Sequence, residues 1–459
     1  MGWKKNAWRN AGLTACGLSA CVAQESEETA RPDIEMVTQA LDSADPALGM
    51  YHWDAPNGPL LIDAAATWLG RNFDVALTYT GRDHWADVTG PDWQLSAWSR
   101  WINARPGRKL VCALSMLPGP ANGAGPDGSL GTSDDVSLQK CSDGAYDSYW
   151  RALANNLVSY GLGQTILRVG WEFNGDWFPW AASGREAQFA GCFRQVVTVM
   201  RQAQPNAGFK FDWNPTEDIA QWSSSQIHAA WPGDAYVDYI GVDAYDTSWA
   251  ANTYPYPANC DASCRLTRQT NAWNDMSQGL YAMRDMATAH GKLLSIPEWG
   301  VWTRDDGHGG GEDPFYIGKM YDFIRAPESR VGYQIYFDVN WVDGSHQLSD
   351  VDGDGNGTTA LRTFTTTFPD SAARFRALFA QSSTPSTPTP PASAPPAPVR
   401  VTNPGFEAGQ IGWHLYGSAA TMLPGPHSGR LVLHLGSARG GAEQDLISQL
   451  QVGSSYKVS

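Results

Sequence analysis

The stretch LRVGWEFNGDWFPW (167–180) follows an apolar run with a single carboxyl group, Glu172, then turns through Asn174, Gly175 and Asp176 among Trp171, Trp177 and Trp180. A second stretch, SIPEWGV (295–301), does the same with Glu298 and Trp299, and YIGVDAYD (239–246) supplies Asp243, Tyr245 and Asp246. Two carboxyl groups about 5–5.5 Å apart suit a displacement at an anomeric carbon with retention, one protonating the leaving oxygen while the other attacks. That work needs unequal environments. Desolvation beside Trp171 and Trp177 is expected to keep Glu172 protonated, while a hydrogen bond from Tyr245 is expected to keep Glu298 ionised. Tryptophan also offers a flat apolar face on which a pyranose ring stacks, with amide and acid side chains meeting the hydroxyl edges. On this reasoning His52, Trp171, Asn174, Trp177, Trp180, Trp213, Trp299 and Trp341 are the expected sugar contacts. Each has a plainer reading. His52 and Trp53 would equally well pack at a rim, Arg168 either orients a carboxylate or forms an internal ion pair, and Asp212 and Asp243 either meet substrate or join a buried hydrogen-bond network.

Groups so distant in sequence meet only on a scaffold that gathers strand ends around one opening. Buried-strand candidates run over 48–53, 75–79, 110–114, 166–170, 209–213, 239–243, 293–297 and 332–337. Between them lie helical patterns, such as 145–161 and 186–203, with apolar residues three and four positions apart. Eight strands alternating with helices over 31–380 predict a (β/α)8 TIM barrel, whose reactive groups sit where strands run into the following loops. Glu172, Tyr245 and Glu298 then follow the fourth, sixth and seventh strands. A doubly wound open sheet is the alternative fold, but no Gly-rich phosphate loop follows an early strand.

On these three segments, the region 31–380 resembles the clan of retaining (β/α)8 glycosidases, and within it glycoside hydrolase family 26, the family of β-mannanases and related endo-glycanases. The resemblance implies Glu172 as acid/base, Glu298 as nucleophile, Tyr245 as the nucleophile's partner, and Trp177 and Trp180 along the sugar subsites. It implies a retaining endo-β-glycanase that cleaves β-1,4-mannan of plant or algal origin and requires no cofactor. Mixed-linkage β-glucan and xylan are alternative substrates, and a non-catalytic polysaccharide-binding protein is the alternative of another class. One position departs from the family, which commonly has His before the acid/base where this chain has Trp171.

Composition frames the rest. A 42% hydrophobic content over 459 residues suffices for a large core and more than one domain. A net charge of −15 argues against nucleic acid or an anionic membrane as partner; a polysaccharide-binding monomer is expected. Segment 1–30 reads as a leader: Lys4, Lys5 and Arg9 precede a modest apolar stretch, and Leu18-Ser19-Ala20-Cys21 resembles a bacterial lipobox that would lipidate Cys21, with ordinary cleavage near Ala23 as the alternative. Secretion, or lipid anchoring at a bacterial cell surface, is the expected location. No later segment approaches the ~18–20 apolar residues of a membrane span. Export permits disulfides. Cys260 and Cys264 are the first candidate pair, Cys141 and Cys192 a second, and Cys112 reads as a buried thiol. The Pro/Ser/Thr-rich segment 381–398 is an expected linker, and 399–459 resembles the beginning of a β-sandwich carbohydrate-binding module, incomplete at this length. Asp350, Asp352 and Asp354 copy the opening of a calcium loop, but Leu361 stands where its closing Glu belongs. They read either as a structural Ca site or as a solvated acidic turn.

Overall fold

In a computed structural model, which describes residues 45–341, 343–351, 366–380 and four short strands between 414 and 443, the predicted strand rhythm closes on itself. The strands are β1 (Ala47–Tyr51), β2 (Val75–Tyr79), β3 (Lys109–Leu114), β4 (Ile166–Val169), β5 (Lys210–Trp213), β6 (Tyr239–Gly241), β7 (Leu293–Gly300) and β8 (Val331–Phe337). Each pairs in parallel with the next. β8 pairs in parallel with β1, Gly49 opposite Ile335, so the sheet is a closed eight-stranded barrel and not an open one. Strands covered on both faces read as continuous apolar runs, which is why they were legible in the sequence.

Helices cover the outside. The pattern at 186–203 forms the helix Glu186–Ala203, burying Phe189, Phe193, Val196, Val197 and Met200. Cys192 on this helix bonds to Cys141 of the short helix Leu138–Ser142, and Cys260 bonds to Cys264 at the start of the helix Ala262–Ala289; Cys112 is free and buried. The first candidate disulfide is therefore present, and the pairing left open for Cys141 and Cys192 is present as well. Among the described residues, no helix is long and apolar enough to cross a membrane.

The lumen is partly polar. Asp212 on β5 accepts hydrogen bonds from Ser295 Oγ of β7 (2.6 Å) and from the Tyr333 hydroxyl of β8, tying three strands together below the mouth. The leader with Cys21, the linker 381–398, and Asp352 and Asp354 lie outside the described residues; Asp350 is exposed. Beyond the linker, His414–Tyr416 pairs antiparallel with Gly441–Glu443, and Ala420–Pro424 with Leu431–Leu435.

Candidate active site

The chain leaves β4 through Gly170, whose φ is +59° and whose side, had it a Cβ, would meet Met116 Sδ at 2.2 Å. Both facts require glycine there. Two residues on, Glu172 itself has φ +52°, a left-handed conformation that costs a non-glycine residue on the order of 1–3 kcal/mol and collects at functional sites. It is held by its N–H donating to Asn214 O (2.7 Å) and its carbonyl accepting from Gly175 N–H (3.0 Å). The strained turn aims the Glu172 carboxyl into the mouth.

Three donors converge on Glu298 at the end of β7. Its Oε1 accepts from the Tyr79 hydroxyl (2.5 Å) and Arg168 Nη1 (2.7 Å), and its Oε2 from the Tyr245 hydroxyl (2.8 Å). Such a surrounding, with donors on both oxygens, is that of a carboxylate. Arg168, fully buried in the lumen, also reaches Asp243 Oδ2 (2.6 Å) and Asn214 Oδ1 (2.7 Å from Nε), and Asn214 Nδ2 donates to Asp243 Oδ1 (3.2 Å). Of the two readings of Arg168, both hold at once: one guanidinium orients Glu298 and forms the internal ion pair with Asp243.

One carboxyl oxygen from each of Glu172, Asp243 and Glu298 lies within 4.8 Å of the others. A single guanidinium among three carboxyl groups favours retention of protons. Burial pushes Glu172 up to about 8, with the Glu298 charge adding, and Arg168 and the Trp177 hydrogen bond opposing. Burial likewise holds Asp243 well above the usual carboxylate range in spite of Arg168. Glu172 is thus a proton-bearing group at neutral pH.

The expected aromatic contacts divide. Trp177 and Trp341 keep 47% of their surface exposed, Trp341 against Trp53 with ring centroids 5.1 Å apart. Trp177 does not act by shielding alone: its indole N–H donates to Glu172 Oε2 (2.9 Å), which favours the ionised form. Trp171 is buried edge-on against Tyr79 (5.3 Å), leaving little face for a sugar. Three expectations are corrected. Trp180 has no exposed surface and donates to Trp171 O (2.8 Å). Trp213 and Trp299 are fully buried on the outward face of their strands, donating to Ala230 O (3.1 Å) and Gln334 Oε1 (2.5 Å). The pleat explains this: neighbours Asp212 and Glu298 point into the lumen, so Trp213 and Trp299 must point toward the helices.

His52 is also corrected. It is fully buried, with Nδ1 hydrogen-bonded to the backbone carbonyl of Asp338 and 3.2 Å from its carboxylate, and Asp338 Oδ1 accepts from Leu348 N–H (2.6 Å), so the pair anchors the loop after β8. The Asn174 amide is committed to Thr216, donating to Oγ1 and accepting from N–H, each at 2.8 Å. Asp246 turns away from the mouth to accept from the Tyr254 hydroxyl (2.7 Å). Tyr79 and Trp302, the last packed 5.3 Å from Tyr245, belong to the site and were not singled out from sequence. For Tyr79 a signal existed: it is the last residue of a barrel strand. On the Glu172 side of the mouth lies a cavity of about 500 Å³, lined by Asn174, Trp177, Arg185, Thr216, Asp218 and Trp222.

Comparison with known proteins adds to this geometry. Residues 153–280 match the model of glycosyl hydrolase family 26. The chain is 25% identical over 271 residues to Endoglucanase H of Acetivibrio thermocellus, covering 56% of this chain and 25% of that protein. It is 26% identical over 137 residues to a mannan endo-1,4-beta-mannosidase of Bifidobacterium adolescentis, covering 29% of this chain and 12% of that protein. The matched stretch thus spans a quarter or less of the length of these relatives. Among solved structures, a modular endo-beta-1,4-mannanase from Cellulomonas fimi is 17% identical with a TM-score of 0.48, over 73% of this chain and 70% of that one.

Proposed function

We propose, from the match of residues 153–280 to the model of glycosyl hydrolase family 26, that the protein is a retaining endo-β-glycanase acting by double displacement. The observation that carries the reading is the pair itself: carboxyl oxygens of Glu172 and Glu298 within 4.8 Å, one group raised to about 8 and the other held by three donors. Closely set carboxyl groups serve retention, whereas inverting pairs stand about 6.5–9.5 Å apart to admit a water. Glu172 protonates the glycosidic oxygen as Glu298 attacks the anomeric carbon. The Glu172 carboxylate then takes a proton from the water that attacks the glycosyl-enzyme, and both groups return to their starting states.

Exposed Trp341, packed on the partly buried Trp53, on one side, and Trp177 with its cavity on the other, support a cleft that takes sugar units on both sides of the scissile bond, hence endo action. β-1,4-Mannan is the first substrate. β-Glucan is the second reading, because the relative matched over the longer stretch is named an endoglucanase and Trp171 replaces the family's usual His. Export, by a cleaved signal or a lipidated Cys21, completes the proposal; loss of radiolabelled-palmitate incorporation on Cys21→Ser, in a bacterial host, tests the anchored form. For the activity, reducing ends and viscosity are followed on mannan, mixed-linkage glucan and xylan, and the first-formed anomer is read by NMR. A fast viscosity drop with the β-anomer first is the expected result. An inverted anomer, or no cleavage of any of the three, overturns the proposal.

A further inference from the structure

We infer that Tyr79 is a positioning residue for Glu298, saturating its Oε1 so that Oε2 is the oxygen that attacks, and assisting the second half of the reaction more than the first. The inference rests on the double-displacement reading above. Each carboxylate oxygen offers two lone-pair directions in the plane of the group. On Oε1 both are taken, by the Tyr79 hydroxyl at 2.5 Å and Arg168 Nη1 at 2.7 Å, whereas Oε2 accepts from Tyr245 alone at 2.8 Å. Oε2 therefore keeps a lone pair for the anomeric carbon.

Tyr79 is built to stay. Its ring stands edge to face against Tyr51 (5.1 Å, 80°) and Trp171 (5.3 Å, 67°), and its backbone is fixed by N–H to Asp54 Oδ1 (2.9 Å) and carbonyl to Gln94 Nε2 (2.5 Å). Its hydroxyl donates only to Glu298 in the described structure. Trp171, buried in this packing, acts through Tyr79 on the nucleophile.

The two half-reactions use that hydrogen bond differently. In the first, an Oε2 lone pair forms the bond to the anomeric carbon, the glycosidic bond breaks with its electron pair going to the leaving oxygen, and Glu172 supplies the proton. Negative charge leaves Glu298, and Oε1 becomes an ester carbonyl oxygen, a weaker acceptor. In the second, water bonds to the anomeric carbon, its proton passes to Glu172, and the electron pair of the C–Oε2 bond returns to Glu298. Charge reappears on Oε1, and the Tyr79 bond strengthens as the transition state is crossed, which is where an interaction accelerates a step. Removing the hydroxyl makes Glu298 a less stabilised carboxylate, hence a better nucleophile and a poorer leaving group.

The test is Tyr79→Phe, which keeps the ring and its packing, assayed on a dinitrophenyl β-glycoside of whichever sugar the wild type cleaves. With this leaving group the second step limits kcat, while kcat/KM reports the first. A hydrogen bond to a charged group supports a fall in kcat of about tenfold, with kcat/KM within about threefold of wild type, so KM falls as well. Reactivation of the 2-fluoro-glycosyl enzyme should slow by a similar factor. Equal losses in kcat and kcat/KM would show a merely structural role, and no change in either would show no role; both overturn the inference while leaving the proposed activity standing. A wild type inert on every glycan fails the activity itself and removes this role with it.

Discussion

Replacing Trp177 with Phe isolates one hydrogen bond at the acid/base. The indole N–H donates to Glu172 Oε2 at 2.9 Å, and a donor to the carboxylate form stabilises it, lowering the pH at which the proton is lost. Phenylalanine keeps the apolar ring over the carboxyl group and deletes only the donor. Hydrogen bonds to charged groups contribute about 1.5–3 kcal/mol net. Trp177 is 47% exposed, so water screens and partly replaces the bond, and about 1 kcal/mol is the reasonable remainder. At 1.36 kcal/mol per pH unit this is a rise of about 0.7 unit. The basic limb of kcat/KM reports loss of the Glu172 proton, expected near the value of about 8 to which burial raises it. In Trp177→Phe that limb should move to higher pH by about 0.5–1 unit. The assay is kcat/KM against pH on a substrate with a poor leaving group, which needs the proton. With Trp177 as a shield alone, Trp177→Ala would admit water and move the limb down, whereas Trp177→Phe, which keeps the ring, would leave it in place. A downward or absent shift in the Phe variant would refute the hydrogen-bond account.

Three further outcomes are expected. Glu298→Gln should lower turnover more than about a thousandfold with unchanged thermal unfolding, and azide should restore part of the activity of Glu298→Ala by entering the vacated space as a nucleophile; substantial unaided activity in the Ala variant would remove Glu298 from its role. Arg168→Met strands Asp243 and Glu298 without their buried partner, and denaturant unfolding should show a loss of about 3–5 kcal/mol. Asp246 and Asp313 are buried and bridged by the Tyr254 hydroxyl (2.7 and 3.3 Å), and burial raises both, Asp313 to about 6. The folded protein therefore keeps a proton that the unfolded chain releases near 3.8, so stability is full below that pH and declines as pH rises through about 6. Melting temperatures from pH 4 to 8 should show this decline, to which buried Asp54, also raised to about 6, adds, and Asp313→Asn, still able to cap the Tyr316 N–H, should make it shallower.

What the sequence determined by itself was periodic and local. Strands buried on both faces appear as short apolar runs, and the helix at 186–203 has the bounds its apolar spacing prescribes. Glu172 and Glu298 were legible only together: a lone Glu at a strand end is more often a surface or capping residue, and the pair, with Tyr245 between them on a barrel rhythm, is what pointed to the mouth. Strand alternation puts Glu298 and Trp299, and Asp212 and Trp213, on opposite faces, yet both tryptophans were expected at the mouth beside the acids; which face is the lumen is not written in either stretch. Closure of the sheet decided that, because the curvature that joins β8 to β1 fixes one face of every strand as interior. The same closure brought Tyr79 of β2, Arg168 of β4 and Tyr245 beyond β6 onto one carboxylate. Distances between strand ends depend on strand tilt and stagger around the whole barrel, quantities no single stretch of residues contains. The direction of the Trp177 N–H is of this kind as well: the residue type announces an aromatic ring, and only the strained turn at Glu172 decides that its one donor meets the acid.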